Sequence, residues 1–329
     1  MSELIITSKD DVEYLISLDT KDVELGAKYF CWVLGSVHEE DALHFGWITG
    51  GPVSGHSIEQ IQKALVRVPS ERIFPPLPIP WWFAHTGVTV AESWDAEPDP
   101  DVYYLKRPWI ARLEEEGGGP KEVAMWFAHE VKQLERLARH PPHPNLVRYH
   151  GCRVRKGRIT GALLGRVPGD NLWSYLEAGK TVDKDRFIAA LTSALDHLHN
   201  VVGLVHNDIH PGNIVVSPNG VPTLIDLGSA YPDGEEMTQG IPFSCWGGDP
   251  LDMDPETHFD GPRTASPTSR KPRDLAALKQ LRTWLDNPVD PWTTTVSRQQ
   301  ADTADYFAEV GNRRMQEAVA RRKDNEAAA

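Results

Sequence analysis

Two short segments carry side chains that together could bind a metal ion and move a proton. His-Asn-Asp-Ile-His-Pro-Gly-Asn spans residues 206–213, and Leu-Ile-Asp-Leu-Gly spans residues 224–228. Asp208 and Asn213 are five residues apart, and Asp226 follows Asn213 by thirteen residues at the end of an apolar stretch. Two carboxylates and one amide oxygen make a hard, oxygen-rich site that suits Mg²⁺, with substrate phosphates and waters completing the shell.

A hairpin is expected to bring these three side chains together. Short strands are predicted at residues 213–216 and 221–225, and the Ser-Pro-Asn-Gly sequence between them is typical of a turn. Because the hairpin folds the chain back on itself, Asp226 would come close to Asp208 and Asn213. A pair of ordinary Asx turns beside a sheet would give a similar pattern and is the alternative.

The two segments resemble the catalytic loop and the metal-binding Asp-Phe-Gly motif of the protein kinase superfamily, with leucine in place of the phenylalanine. This resemblance implies ATP and Mg²⁺ as cofactors. It also implies that Asp208 accepts or orients the hydroxyl proton, and that Asn213 and Asp226 hold the metal. The stretches Arg-Ile-Phe-Pro-Pro, Tyr-Leu-Lys-Arg-Pro and His-Pro-Asn, which begin at residues 72, 104 and 143, are similar to those of small fungal kinase-like proteins with a His-Asn-Asp catalytic loop.

A lysine and a glutamate are implied upstream by the same resemblance. Lys106 ends a predicted strand over 102–106 and would hold the ATP phosphates, steered by Glu130. Glu130 falls within the apolar stripe of a helix predicted from about 120 to 137, where an unpaired acid is costly. Glu135 lies off this stripe and is expected to be solvated. A solvated Lys106 and an exposed or capping Glu130 are the alternatives.

Two further positions follow from the resemblance. Residues 162–168 stand where kinases have the hinge between lobes, so backbone groups at Leu164, Gly165 and Val167 are expected to meet adenine. Asp274 begins a later helix and resembles the acid that braces the catalytic-loop backbone, with a simple helix N-cap as the alternative.

Three features depart from the kinase pattern. Gly87 is the only glycine between Trp81 and Lys106, so the glycine-rich phosphate loop is not evident. Asn207 replaces the arginine that pairs with a phosphorylated activation loop, so we expect no phosphate switch. The substrate-binding half is short, with one or two helices expected after residue 274.

These departures leave three functions open. The first is a kinase that phosphorylates Ser/Thr hydroxyls of proteins. The second is a phosphotransferase for small molecules of the aminoglycoside or choline type, in which His210 would either orient the substrate hydroxyl or brace the loop. The third is a non-catalytic pseudokinase that serves as a binding module.

Composition limits the remaining possibilities. The chain has 329 residues and a formal net charge of −13, and this acidic balance argues against nucleic-acid binding. No apolar run is long enough to span a membrane, and the first residues do not resemble a secretory signal. The three cysteines are far apart and odd in number, which predicts reduced thiols in an intracellular protein of the cytoplasm or nucleus.

The predicted fold class is α+β, a two-lobed protein-kinase-like fold with a β-rich N-lobe and a mainly helical, truncated C-lobe. An N-terminal accessory α+β region is predicted over 1–79, with strands at 12–18 and 27–37 and a helix capped by Ser57. The N-lobe is predicted over 80–166, the C-lobe over 167–290, and a C-terminal helix and tail over 291–329. ATP and a protein substrate are the expected partners, with a small-molecule substrate as the alternative and neither nucleic acid nor membrane.

Overall fold

A computed structural model describes residues 12–17, 28–34, 42–49, 53–77, 88–90, 101–108, 121–237 and 268–288. The chain divides into two compact units, Met1–Leu278 and Lys279–Ala329, and every site residue discussed below belongs to the first. Gly87 and the C-terminal helix expected within 291–329 lie outside the described residues. The predicted domain boundaries stay predictions.

The N-terminal region contains a four-stranded antiparallel sheet whose strand order follows the chain. Its strands are β1 (Glu13–Ser17), β2 (Lys28–Leu34), β3 (Leu43–Ile48) and β4 (Val66–Val68). Helix α1 (Ile58–Ala64) precedes β4 and begins with a capping box between Ser57 and Gln60. The two predicted strands and the capped helix are therefore confirmed, whereas β3 was not predicted.

Strand β3 separates two apolar clusters because successive side chains of a strand point to opposite faces. Leu43 and Phe45 face one cluster, and Ile48 faces the other. In the middle of β3, a Cβ at Gly46 would lie 2.0 Å from the carbonyl oxygen of Ala64. Only glycine therefore allows the end of α1 to approach the strand this closely. We call the cluster beside Leu43 and Phe45 the α2-facing cluster, and the cluster beside Ile48 the inner cluster. The α2-facing cluster contains Leu43, Val68, Ile73, Phe74 and Val123. The inner cluster contains Val12, Cys31, Ile48, Val53, Ile61 and Leu65.

A second sheet and a long helix carry the first half of the candidate site. The sheet contains β5 (Tyr103–Lys106), β6 (Tyr149–Arg155) and β7 (Arg158–Gly165), with β7 in the centre. Helix α2 (Lys121–Ala138) buries Val123, Phe127 and Leu134 on its apolar stripe, as the sequence predicts. Together these elements form a β-rich lobe.

The following lobe is mainly helical. It contains α3 (Leu172–Glu177), α4 (Lys184–His197) and α5 (Lys271–Trp284), together with a small sheet. That sheet pairs β8 (Asp170–Asn171) with β9 (Ile214–Val216), and β9 with β10 (Pro222–Leu224). The predicted hairpin between residues 213 and 225 is confirmed. Of the described helices, none is both long and apolar enough to cross a membrane.

Candidate active site

The centre of the site is a lysine held between two carboxylates, and the three residues come from different parts of the fold. Lys106, at the end of β5, donates from Nζ to Glu130 Oε1 of α2 at 2.5 Å. The same Nζ lies 2.9 Å from Oδ2 of Asp226, which follows β10. Glu130 is 6% exposed, and its ion pair with Lys106 offsets the free-energy cost of burying a carboxylate in the apolar stripe. The structure thus brings together three residues that are separated by up to 120 positions in sequence.

The three charges shift one another's protonation. Burial lowers the pKa of Lys106, but the carboxylates of Asp226 and Glu130 outweigh it and keep the ammonium charged. Burial raises the pKa of Glu130 to about 7, although Lys106 opposes this shift. Burial also raises the pKa of Asp226, but Lys106 and the N–H of Gly228 bring it below its ordinary value. These directions favour a charged lysine beside an ionised Asp226.

Asp226 is oriented by its own local backbone. Its φ of 65° lies in the left-handed region, which aspartate tolerates better than most residues because its short side chain can hydrogen-bond locally. Oδ1 accepts the N–H of Gly228 at 2.9 Å, an Asx turn. A Cβ at Gly228 would lie 3.0 Å from that oxygen, so glycine leaves room for the carboxylate. The Asp-Leu-Gly sequence therefore supplies both the acceptor and the glycine that this turn requires.

The predicted proton acceptor and amide ligand, Asp208 and Asn213, meet just before β9, at the open end of the hairpin. Asn213 Nδ2 donates to the carbonyl oxygen of Asp208 at 3.0 Å and to its Oδ2 at 3.2 Å. This orientation assigns Oδ1 of Asn213 as the remaining acceptor for a cation. The carbonyl of Asn213 accepts the N–H of Ile225 at 2.9 Å, which places Asn213 beside the residue that precedes Asp226.

The catalytic-loop backbone is fixed by a buried carboxylate from α5. Asp274 accepts the N–H of His206 at 2.7 Å and the N–H of Asn207 at 2.8 Å. Its Oδ2 also lies 2.8 Å from Nε2 of His199. Because α5 begins at Lys271, Asp274 is not the residue that precedes the helix. Of the two roles open for Asp274, bracing the loop is the one that these contacts support.

Comparison with known proteins agrees with this geometry. A family model described as the protein kinase domain matches residues 115–240. Mitogen-activated protein kinase kinase kinase 3 of Arabidopsis thaliana is 31% identical over 133 residues, which are 37% of this chain and 20% of that protein. Serine/threonine-protein kinase Tao of Drosophila melanogaster is 31% identical over 137 residues, 39% of this chain and 13% of that protein. This chain therefore spans a fifth or less of the length of these two relatives.

Over residues 115–240 this chain is therefore similar to the protein kinase superfamily. Its two-lobed α+β architecture, with a sheet in the first lobe and helices in the second, is that of a kinase domain. The matched segment includes α2 and both loops of the site, but Lys106 precedes it.

Asn207 departs from the usual kinase residue and has a buried role of its own. It is 1% exposed, and its φ of 65° again lies in the left-handed region. Its Nδ2 donates to the carbonyl oxygens of Val205 and Ser229 and to Oγ of Ser269, at 3.2, 3.0 and 3.0 Å. A neutral amide thus ties the catalytic loop to the chain on both sides of residues 238–267.

His210 is itself a residue of the catalytic loop and accepts a hydrogen bond from the backbone of that loop. Its Nδ1 accepts the N–H of Gly212 at 3.1 Å, which supports the bracing role. That acceptor role places the proton of a neutral imidazole on Nε2, and Nε2 lies 3.6 Å from Oδ2 of Asp208. Orienting a substrate hydroxyl stays the alternative prediction for this residue.

The expected hinge, residues 162–168, begins within β7 and continues past the end of that strand at Gly165. Leu164 is buried in the sheet opposite Tyr104 and Tyr149. Gly165 ends β7 and donates its N–H to the carbonyl oxygen of Arg148 at 2.7 Å, and Val167 is half-buried in the next loop. The N–H of Gly165 is therefore used within the lobe, and adenine contact at these three positions stays a prediction.

Glu135 is not solvated, so that expectation is wrong. It is 3% exposed and accepts hydrogen bonds from the N–H of Thr89 at 2.6 Å, Oγ1 of Thr89 at 2.9 Å and the hydroxyl of Tyr149 at 2.7 Å. Thr89 in turn accepts the N–H of Cys152. The segment at residues 88–90 is therefore bound to the β6 edge of the sheet, away from Lys106 on β5.

The residues of this kinase site suit a nucleotide with a divalent cation. Of the described residues, no three His, Cys, Asp or Glu side chains form a metal-binding cluster. Asp226 and Asn213 supply two hard oxygen donors, and the Asp226 side chain is 38% exposed. A cation that takes most of its ligands from phosphates and water, as Mg²⁺ does, fits such a partial donor set.

Proposed function

We propose that this protein transfers the γ-phosphoryl group of Mg²⁺-bound ATP to Ser or Thr hydroxyls of a protein substrate. The observation that carries the proposal is the position of Lys106 Nζ between Glu130 and Asp226, at 2.5 and 2.9 Å. A half-buried lysine held this way presents a fixed positive charge beside two carboxylates. Phosphoryl transfer depends mainly on such positioning and charge stabilisation.

Each residue has a separate task in this proposal. Lys106 holds the α- and β-phosphates, and Glu130 positions Lys106. Asn213 and Asp226 hold the metal, which when bound neutralises charge on the phosphate oxygens. Asp208 accepts or orients the proton of the acceptor hydroxyl, and its carboxylate is fixed for this by Nδ2 of Asn213.

Adenine would bind at the end of β7 and in the loop that follows it, against Leu164, Gly165 and Val167. A protein acceptor is supported by the names of the relatives, which are protein kinases. The buried thiols of Cys31 and Cys152 support an intracellular site of action, in the cytoplasm or the nucleus.

A small-molecule phosphotransferase is the second candidate. The network of Asn207 favours it, because an uncharged amide ties the loop at the position where a phosphate-pairing arginine was expected. Both candidates use the same five residues and differ in the acceptor. Residues 88–90 contain no glycine and are bound to β6. A non-catalytic pseudokinase is therefore the third candidate, and the same experiment tests it.

The test is phosphoryl transfer from γ-labelled ATP with Mg²⁺ to a generic basic protein, to choline and to an aminoglycoside. We expect label on protein serine or threonine, and we expect Asp208→Asn to lower kcat by about 10³-fold while nucleotide affinity changes less than about threefold. Label on the small molecules alone would support the second candidate. Full activity of Asp208→Asn would contradict the role of Asp208, and no transfer by the wild type despite nucleotide binding would indicate a pseudokinase.

A further inference from the structure

The first turns of α2 are covered by residues of the N-terminal region. Val123 of α2 is 2% exposed and packs in the α2-facing cluster, whose other members come from β3, β4 and the turn after β4. Val123 precedes Glu130 by seven residues, which is two helical turns or about 10 Å along the same face. A shift of the helix at Val123 is therefore transmitted directly to Glu130.

A second attachment fixes the N-terminal region to the sheet that carries Lys106. The N–H of Ile159 on β7 donates to the carbonyl oxygen of Pro75 at 2.9 Å, and the N–H of Leu77 donates to Gly157 at 2.8 Å. Arg158 donates to the carbonyl oxygen of Phe74 at 2.9 Å. The region thus contacts both elements whose separation sets the Lys106–Glu130 distance, namely the sheet and α2.

Three polar contacts of α2 with the rest of the described chain are made by His129 and by residues that follow it. His129 lies 3.0 Å from the carbonyl oxygen of Ala230, Glu135 binds Thr89, and Arg136 donates to the carbonyl oxygen of Val202 at 3.0 Å. These polar contacts hold the C-terminal half of the helix. In the N-terminal half of the helix, Val123 packs against the accessory sheet in the α2-facing cluster.

We infer that the N-terminal region is a built-in positioning module, which holds α2 where Glu130 meets Lys106 through the α2-facing cluster. Ile73 and Val123 act through α2 and are positioning residues rather than catalytic ones. Phosphoryl transfer as the readout rests on the proposed function, whereas the position of α2 can be measured without it. An intramolecular module of this kind would keep the lysine–glutamate pair formed without a separate activating partner.

The test compares two buried isoleucines of the same region in the full chain. Ile73 and Ile61 are both 0% exposed, but Ile73 belongs to the α2-facing cluster and Ile61 to the inner cluster between the sheet and α1. Ile73→Val and Ile61→Val remove the same methylene, so Ile61→Val is the matched control. Hydrogen exchange of α2 amides and kcat are measured for both.

We expect Ile73→Val to speed exchange of amides 123–130 by about tenfold and to lower kcat, with Ile61→Val within about twofold of the wild type in both. The double variant Ile73→Val/Val123→Ile, which conserves the cluster volume, should restore both. Equal exchange of α2 in the two single variants, or no rescue, would overturn the inference. If the wild type transfers no phosphate, the proposed function fails, but the exchange comparison still decides the positioning role.

Discussion

Asp274 accepts the backbone N–H of Asn207 at 2.8 Å, although 67 residues separate them. The carboxylate has no measurable exposure and also receives the N–H of His206 and the side chain of His199. A charge buried this deeply is stable only because these donors surround it. The contact fixes the two residues that precede Asp208, so the geometry of the proposed catalytic residue depends on α5.

Asp274→Asn should therefore damage both stability and activity. The amide group of asparagine turns a donor toward a backbone N–H, which we expect to cost about 3 kcal/mol of unfolding free energy. We also expect kcat to fall about 10²-fold because Asp208 loses its fixed position. Denaturant unfolding and steady-state kinetics check this. Asp183→Asn is the control, because Asp183 is exposed and asparagine can still cap α4. A normal kcat for Asp274→Asn would be inconsistent with the bracing role.

Asn207 should make activity independent of activation-segment phosphorylation. Its amide ties Val205, Ser229 and Ser269 together without a phosphate. We expect phosphatase treatment to change kcat by less than about twofold, and Asn207→Ala to lose about 2–4 kcal/mol of stability through the lost bonds and the left-handed φ. Mass spectrometry of the treated protein and kinetic assays measure the first effect. A tenfold loss of kcat on dephosphorylation would refute the expectation.

Glu130 and Glu135 lie five residues apart on α2, and the two should fail in different ways. Glu130→Gln removes the partner of Lys106 and should lower kcat/KM about 10²-fold. The free energy of unfolding should change by less than about 1 kcal/mol. Burial raises the pKa of Glu130 to about 7, so the ionised carboxylate adds little to folding at neutral pH and a neutral amide can replace it. Glu135→Gln should cost about 2–3 kcal/mol of stability through its lost acceptor bonds, with little change in kcat/KM. Exchanged phenotypes would contradict these assignments.

His129 should make stability fall in acid. Burial lowers its pKa from 6.5 to about 4, and the ring is 5% exposed and stacks on Tyr231. The unfolded chain therefore binds a proton at His129 between about pH 6.5 and 4 that the folded chain does not, so stability is full above pH 6.5 and declines as the pH falls toward 4. The loss attributable to His129 is on the order of 3 kcal/mol.

Urea unfolding of the wild type and His129→Phe from pH 8 to pH 4 measures this term. Phenylalanine retains a ring against Tyr231 but cannot titrate. We expect the free energy of unfolding of the wild type to fall more steeply with acidification than that of His129→Phe. Parallel curves over the whole range would show that His129 does not carry the effect.

The parts of the site that the sequence predicts best are those with local geometry. Asp208, Asn213 and Asp226 lie at the ends of one hairpin, so their spacing already limits where they can be. Lys106 and Glu130 are far apart in sequence, but the apolar stripe around Glu130 signals that a buried acid needs a cation. The structure joins Lys106 to Glu130 and Asp226 by ion pairs, joins Asp208 to Asn213 by a hydrogen bond, and bonds Asn213 to Ile225, the residue before Asp226.

The parts that the sequence did not predict depend on distant partners. Glu135 is off the apolar stripe, and its burial follows from Thr89, which lies 46 residues away. Asn207 finds Ser269 at a separation of 62 residues. Strand β3 contains a histidine and a glycine, and its glycine is needed only because α1 ends against it. None of these contacts has a periodic signal in the chain.

The central claim is that Lys106, Glu130, Asp208, Asn213 and Asp226 form one site for Mg²⁺ and a nucleoside triphosphate. Titration calorimetry of ATP with and without Mg²⁺ tests it most directly, on the wild type, Asp226→Asn and the control Asp196→Asn on the exposed side of α4. The account predicts submillimolar, Mg²⁺-dependent binding to the wild type and to Asp196→Asn, and at least about tenfold weaker binding to Asp226→Asn. Equal affinities in all three proteins, or no binding to the wild type at millimolar nucleotide, would contradict it.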